Sequence, residues 1–110
     1  MGGSVKECLD AVSLTLVNCM GLICDPIAGL VQVPCAQRNA SQAVNALLSA
    51  DIILSGTPFI LPTDEVVEAM YKVGKSLPHQ LKETSLGGIA ATPTANRIKN
   101  KIFGTNTVHD

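Results

Sequence analysis

The chain has 110 residues and a formal net charge of -1, from eight lysines and arginines and nine aspartates and glutamates. A chain of this length forms one domain at most, and its scattered charges exclude the basic surface that nucleic-acid binding requires. No segment reaches the ~20 consecutive apolar residues of a membrane span, and no secretory leader is visible. We therefore expect a cytoplasmic protein that binds neither nucleic acid nor membrane.

The composition favours an all-α fold. There is no Trp, and two Phe and one Tyr are the only aromatic residues, so aliphatic side chains and alanines must fill the core. Such residues suit closely packed helices better than strands. We predict a compact bundle of about four to five helices over residues 4–104, with an irregular, cysteine-containing segment between the first two. Residues 1–3 are predicted to be a flexible start, and residues 105–110 a disordered tail.

The first predicted helix opens at Ser4, because Ser4 and Glu7 have the spacing of a capping box. It should end near Gly21, a residue suited to a helix C-terminus. Cys8 and Cys19 are almost three full turns apart and share one face. We interpret them as core thiols.

An irregular segment follows from Gly21 to Val33. It has no helical period, and Pro26 and Pro34 each remove a backbone donor. Irregular apolar backbone must be buried, which suits a cofactor pocket. The segment holds Cys24 and ends at Cys35, and reduced thiols of this kind indicate a metal site or structural cysteines rather than a disulfide.

The second helix should have Pro34 in its first turn and run to Leu54. We predict that one face, a seam of small residues, is buried and makes this helix the central element, packed by at least two others. The seam residues are Ala36, Ala40, Ala43, Leu47, Ala50 and Leu54. The residues predicted to form an exposed polar stripe are Arg38, Gln42, Asn45 and Ser49.

The rest of the chain predicts three shorter helices. Thr63 should cap the third, with Asp64 and Glu65 in its first turn, and this helix should end near Gly74. Its predicted buried residues are Val66, Val67, Met70, Tyr71 and Val73. A short helix should run from Pro78 to Ser85. The last should begin around Thr94, with Ile98, Ile102 and Phe103 as its apolar side.

Two motifs carry a resemblance to a known family. The run from Cys24-Asp25-Pro26 to Cys35, followed by Arg38-Asn39, resembles the cysteine motif of the iron-sulfur L-serine dehydratases, or L-serine ammonia-lyases, in their alpha subunit or alpha domain. Lys82-Glu83-Thr84-Ser85-Leu86-Gly87-Gly88 is similar to the same family's later signature, Lys-Glu-Thr-x-x-Gly-Gly. The similarity extends from about Cys8 to Phe103.

The resemblance implies a 4Fe-4S cluster with Cys24 and Cys35 as ligands and one iron open to substrate. The family's third cysteine ligand lies upstream in a Gly-Gly-Cys-Gln context, and we expect it to lie outside this chain. Two thiols of one cluster should line a common cavity and be more accessible than Cys8.

The resemblance also implies substrate-binding roles for four residues: Arg38, Asn39, Lys82 and Thr84. From the residues alone, each role has an ordinary alternative. Arg38 could bind a substrate carboxylate bidentately or lie on a solvated helix face. Lys82 and Thr84 could belong to a helix end closed by Gly87 and Gly88.

The implied activity is conversion of L-serine to pyruvate and ammonia, and no residue is assigned as the base. The expected partners are L-serine, the remaining alpha segment and the beta subunit or domain, with a homo-oligomer left open. We expect a C-terminal piece of an alpha subunit that is inactive alone. The alternatives are a non-catalytic helical interaction module and a minimal iron-sulfur-binding protein that uses all four cysteines.

Overall fold

The structure, a computed structural model, describes residues 2–104 and is all-α, as predicted. It has four α-helices: α1 (Val5–Cys19), α2 (Cys35–Leu54), α3 (Thr63–Ser76) and α4 (Pro93–Phe103). Three 3-10 turns lie at Ile27–Gly29, His79–Leu81 and Gly88–Ala91. Over residues 2–104, no helix combines the length and apolar character needed to cross a membrane. The predicted tail, residues 105–110, lies outside the described residues.

The chain divides into two compact units. The first, which we call the helical unit, consists of Met1–Leu22 and Arg38–Leu77. The second, which we call the cysteine unit, consists of Ile23–Gln37 and Pro78–Asp110. Both cysteines of the sequence motif and the whole Lys82–Gly88 motif therefore belong to the same unit.

Helix α1 begins as predicted. The Ser4 hydroxyl accepts a hydrogen bond from the Glu7 backbone N–H at 3.2 Å, and the Glu7 carboxylate accepts one from the Ser4 N–H at 2.6 Å. These two bonds form a complete capping box. They satisfy backbone donors that a helix N-terminus otherwise leaves without partners.

Helices α1 and α3 form the main helix pair of the helical unit. The buried Ser13 hydroxyl lies 2.8 Å from the Thr63 hydroxyl, which also donates to the Leu9 carbonyl at 3.2 Å. Thr63 was predicted to cap α3, and this prediction is wrong. The Thr63 hydroxyl forms its hydrogen bonds with α1 instead, and α3 begins after Pro62 without a side-chain cap.

The orientation of α2 is the reverse of the predicted one. Ser49 is fully buried, and Arg38, Gln42 and Asn45 are half-buried, whereas the small-residue seam is exposed except for the half-buried Ala50. The end of the seam at Ala50 and Leu54 borders an open hollow of about 300 Å³ beside α1. With its seam uncovered, α2 is not the central packed element that the sequence suggested.

Asn45 explains why α2 turns its polar side inward. Its amide N–H groups donate to the Thr15 carbonyl at 3.0 Å and to the Gln42 side-chain oxygen at 2.7 Å. Its amide oxygen accepts from the Asn18 amide at 3.0 Å and from the Ser49 hydroxyl at 3.1 Å. Two donors and two lone pairs are thus all used. Hydrogen bonds to every donor and acceptor offset the free-energy cost of taking a polar side chain out of water.

Asp10, like Ser13 and Ser49, is a buried polar residue of the helical unit. The Lys6 ammonium lies 2.7 Å from its carboxylate, and the Phe59 backbone N–H donates to the same oxygen at 3.4 Å. The hydrogen bond from Lys6 lowers the pKa of Asp10, burial opposes this shift, and the Phe59 N–H adds to it. The carboxylate is therefore stabilised in its charged form.

Three further predictions need correction. On α3, Val66 is buried and Met70 and Val73 are half-buried, but Val67 and Tyr71 are exposed. The short helix predicted from Pro78 to Ser85 is reduced to the His79–Leu81 turn, because Glu83 and Ser85 adopt left-handed backbone angles. Helix α4 buries Ala95, while its predicted apolar side is exposed: Ile98, Ile102 and Phe103.

Candidate functional site

The two sequence motifs meet through the backbone of Cys24. The Cys24 N–H donates to the Leu81 carbonyl at 2.9 Å, and the Cys24 carbonyl accepts from the Glu83 N–H at 2.8 Å. These bonds make a parallel bridge between Cys24 and Lys82. Because both main-chain groups of Cys24 have partners, the cysteine is fixed beside the Lys82–Gly88 motif.

Asp25 makes a second connection between the cysteine segment and the end of the Lys82–Gly88 motif. Its side chain is buried, with 1% of the residue's surface exposed, and its carboxylate accepts from the Ile89 N–H at 2.7 Å. Gly88 has a φ of +60°, and a Cβ added there would collide with this carboxylate, lying 2.8 Å from its carbon. A glycine is therefore required at position 88 both by its backbone angle and by Asp25.

The segment between the cysteines folds into a closed turn. The Ile27 N–H donates to the Val33 carbonyl at 2.9 Å, and the Ala36 N–H donates to the Val31 carbonyl at 3.1 Å. Helix α4 packs against the Ile27–Gly29 turn and against the Gly88–Ala91 turn. The predicted irregular segment is thus confirmed, with one 3-10 turn at Ile27–Gly29 inside it, and its shape is held by backbone bonds and α4.

Unusual backbone angles concentrate in this unit. Among the described residues, the non-glycine residues with positive φ are Ala28 (55°), Glu83 (64°) and Ser85 (57°), and all three lie in or between the two motifs. Such angles cost of order 1–3 kcal/mol each and tend to cluster at functional sites. Their position favours a site in the cysteine unit.

The thiols differ in exposure from what we expected. Cys24 and Cys35 are half-buried, and Cys8 is exposed, so the expectation that the motif thiols are more accessible than Cys8 is wrong. Cys8 is not a core thiol either, because it borders an open hollow with Ala11 and Ala50. Cys19 is half-buried. That Cys24 and Cys35 line one cavity stays a prediction.

The ligand chemistry of the unit fits part of an iron-sulfur site. Thiolates are the ligands that such clusters use, and Cys24 and Cys35 lie at the two ends of one closed turn. Within residues 2–104, no group of three His, Cys, Asp or Glu side chains could hold a metal ion. Cys24 and Cys35 therefore stay predicted cluster ligands, as the resemblance implies.

The remaining predicted site residues fall in both units. Thr84 uses its hydroxyl to donate to the Gln80 carbonyl at 2.8 Å and to accept from the Leu86 N–H at 3.3 Å, so it holds its own turn. Lys82 is exposed and forms the bridge with Cys24. Arg38, half-buried, and Asn39, exposed, lie near the start of α2 in the helical unit.

Sequence reasoning missed Asp25 as a functional candidate. A carboxylate beside a cysteine and a proline, within an apolar run, was the available signal. Such a group must find hydrogen-bond donors when it is buried. Its donor, the Ile89 backbone N–H, is remote in sequence, and only the fold reveals it.

Comparison with known proteins agrees with these features. Residues 1–90 match the family model described as serine dehydratase alpha chain. The probable L-serine dehydratase alpha chain of Bacillus subtilis (strain 168) is 50% identical over 103 residues, which is 94% of this chain and 34% of that protein. The L-serine dehydratase alpha chain of Peptoniphilus asaccharolyticus is 52% identical over 99 residues, 90% of this chain and 34% of the relative.

A more distant relative is L-serine dehydratase 1 of Escherichia coli (strain K12), which is 41% identical over 91 residues, 82% of this chain and 20% of that protein. No solved structure gives a significant match. The chain thus spans about a third of the first two relatives and a fifth of the third. Because the family match covers both cysteines and the Lys82–Gly88 motif, the chain belongs to the serine dehydratase alpha chain family.

Proposed function

We propose that this chain is part of an iron-sulfur L-serine ammonia-lyase, which converts L-serine to pyruvate and ammonia. The observation that carries the proposal is the backbone pairing of Cys24 with Leu81 and Glu83, because it joins the two motifs of the family in one unit. The three relatives described above are all named L-serine dehydratases, which supports the same substrate.

Cys24 and Cys35 would provide two cysteine ligands of a 4Fe-4S cluster, and the family's third would come from outside this chain. When bound, the cluster supplies a Lewis-acidic iron that stabilises the serine hydroxyl as it leaves. Arg38 would bind the substrate carboxylate through its planar guanidinium. Asn39 and Lys82 would add polar contacts to the substrate, and the base that removes the α proton is not assigned.

Thr84 has a more restricted role in this proposal. Its hydroxyl holds the turn that follows Lys82, so we propose that it shapes the substrate pocket through the backbone. Replacing Thr84 should therefore affect the order of the turn as well as substrate binding.

The partners follow from the length of the relatives. Because the chain spans about a third of the first two, we propose that it works with the rest of an alpha chain and with a beta subunit or domain. Alone, it should make no pyruvate, since a cluster with two of its cysteine ligands is loosely held.

The test is anaerobic reconstitution with iron and sulfide, with and without the remaining alpha segment and beta partner, followed by a serine-dependent pyruvate assay. The complete assembly should be active, and Cys24→Ser or Cys35→Ser should abolish its activity. Cys8→Ser is the matched control and should leave activity unchanged, because Cys8 is exposed on α1 in the other unit.

Two results would contradict the proposal. Full activity of the Cys24→Ser assembly would remove this cysteine from the ligand set. Serine deamination by the 110 residues alone would show that the chain is self-sufficient and would return Cys8 and Cys19 to consideration as ligands.

The exposed face of α2 favours a second candidate, a helical interaction module without catalysis. Val44 is 63% and Leu47 61% exposed, and Leu48 is also exposed. Apolar surface of this kind is typical of contacts with other chains. A complete assembly that binds this chain tightly, yet needs neither Cys24 nor Cys35 for pyruvate production, would favour this alternative.

A further inference from the structure

We propose that Asp25 is the positioning residue for Cys24. Its buried carboxylate ties the start of the cysteine segment to the turn at Gly88 and Ile89, and thereby keeps the Cys24 side chain in one place. That Cys24 is a cluster ligand rests on the proposed function, but the positioning of Cys24 by Asp25 does not.

The first support is the burial of a charged group beside the cysteine. Asp25 has 1% of its surface exposed and accepts the Ile89 N–H at 2.7 Å. A buried carboxylate is costly unless hydrogen bonds compensate it, and a bond of this length to a charged acceptor is a strong one. The carboxylate at position 25 and the backbone N–H at position 89 therefore hold each other in place.

The second support is the close fit at Gly88. A Cβ built there would lie 2.8 Å from both Cβ and Cγ of Asp25. The Asp25 side chain thus lies directly on the Gly88 backbone and has little room to shift. Contact on this side and the hydrogen bond to Ile89 restrict the side chain in two directions.

The third support is that the backbone on the other side of Asp25 is also fixed. Cys24 is bonded through its N–H to Leu81 and through its carbonyl to Glu83. These bonds set the main chain of Cys24, and the Asp25 contacts set the peptide that follows it. Together they determine the direction in which the Cys24 side chain leaves the backbone. Groups that orient metal ligands in this way typically change metal affinity by 10–100-fold when they are removed.

The test compares three variants of the full chain. Asp25→Ala removes the acceptor, Asp25→Asn keeps a side-chain oxygen that can accept the Ile89 N–H, and Ala95→Gly is a structural control. Ala95 is buried in the same unit on α4, and glycine there weakens the helix while the Asp25 side chain itself is unchanged.

The first readout is the rate at which iodoacetamide alkylates Cys24, measured by mass spectrometry with Cys8, Cys19 and Cys35 replaced by Ser. Cys24 is half-buried, so its release in Asp25→Ala should raise the rate about threefold or more, because access controls thiol reactivity. Asp25→Asn should stay near the parent rate. Ala95→Gly should melt at a lower temperature but keep the parent rate.

The second readout is binding of Cd²⁺, a soft ion, to a chain that keeps only Cys24 and Cys35. Asp25→Ala should weaken binding about tenfold or more, and Asp25→Asn should restore most of it. If the chain with the native Asp25 does not bind Cd²⁺ through its thiolates, the proposal that Cys24 and Cys35 are a pair of metal ligands is wrong. The alkylation rate of Cys24 still tests the role of Asp25 in that case.

Two outcomes would overturn the positioning role. In the first, faster hydrogen exchange at the Ile89 amide shows that Asp25→Ala has lost the hydrogen bond, yet the alkylation rate of Cys24 is unchanged. The other is an equal rise in Ala95→Gly, which would make the effect one of general stability. If Asp25→Ala does not fold, Asp25→Ser takes its place, since its shorter side chain keeps a polar atom but not the reach to Ile89.

Discussion

The helical unit and the cysteine unit are stabilised by different kinds of interaction. The helical unit rests on regular helices whose interior contacts are made by side chains, among them the fully bonded Asn45 and the Ser13–Thr63 pair. The cysteine unit rests on backbone bonds between remote segments, three left-handed non-glycine residues and one buried carboxylate. Mutations should therefore act through lost side-chain contacts in the first unit and through backbone geometry in the second.

The largest effect should come from Gly88→Ala. The new Cβ would collide with Asp25 and would require a left-handed alanine, at a cost of about 2 to 5 kcal/mol. Amide hydrogen exchange should show lost protection in the cysteine unit while α1 and α3 keep theirs. Gly29→Ala is the matched control, with φ +73° and no neighbour nearer than 3.8 Å. It should cost only about 1 to 2 kcal/mol.

Equal loss of hydrogen-exchange protection in α1 and α3 would contradict the distinction between the two units. It would mean that the two units unfold as one cooperative body, so that the backbone geometry of one supports the side-chain contacts of the other.

A smaller effect is expected from Asn45→Ala in the helical unit. The change removes all four hydrogen bonds of the Asn45 amide and should lower the free energy of unfolding by about 1 to 3 kcal/mol. Asn39→Ala, at an exposed position of the same helix, should change it by less than about 0.5 kcal/mol. Urea unfolding of both variants measures the difference.

The same experiment can check the reversed face of α2. Ala43→Leu, on the exposed seam, should be nearly neutral for the stability of this chain, within about 0.5 kcal/mol. A loss as large as that of Asn45→Ala would show that the seam is covered in solution.

The smallest effect concerns Asp10 and acid. The folded chain holds the pKa of Asp10 below its ordinary value of 3.8, mainly through the hydrogen bond from Lys6. The unfolded chain therefore takes up a proton first, so the stabilisation is complete above about pH 4 to 5 and is lost as the pH falls through the folded pKa. Circular dichroism between pH 7 and 2 should show a shallower acid dependence for Asp10→Asn.

The helices were predictable from local sequence, and their packing was not. Ser4 and Glu7 located the start of α1, and Pro34 located that of α2, because capping and chain-breaking chemistry acts over a few residues. The buried side of α2 was wrongly predicted, because apolar periodicity cannot foresee that Asn45 finds two partners on α1 and two more on α2 itself. Thr63 failed as a cap for a similar reason, since Leu9 and Ser13 offered its hydroxyl other partners.

For the candidate site, the sequence identified the motifs but not their junction. Cys24, Cys35 and the Lys82–Gly88 run were recognised by resemblance, and all of them lie in the cysteine unit. Nothing local indicates that Cys24 bonds to Leu81 and Glu83, or that Asp25 reaches Ile89. Left-handed angles at Glu83 and Ser85 were also unpredictable, since neither residue is a glycine and the surrounding fold imposes them.

The main-chain anchoring of Cys24 has a consequence for natural variants of this gene. Its N–H and carbonyl bonds are made by the main chain and would persist in Cys24→Ser, so we expect this replacement to lower cellular abundance less than it lowers the proposed activity. Substitutions of Asp25 or Gly88 should instead lower the cellular abundance of the protein, because a small loss of stability exposes a protein to degradation. Neighbouring codons would then produce two distinguishable phenotypes, one visible mainly in activity and the other already visible on an immunoblot.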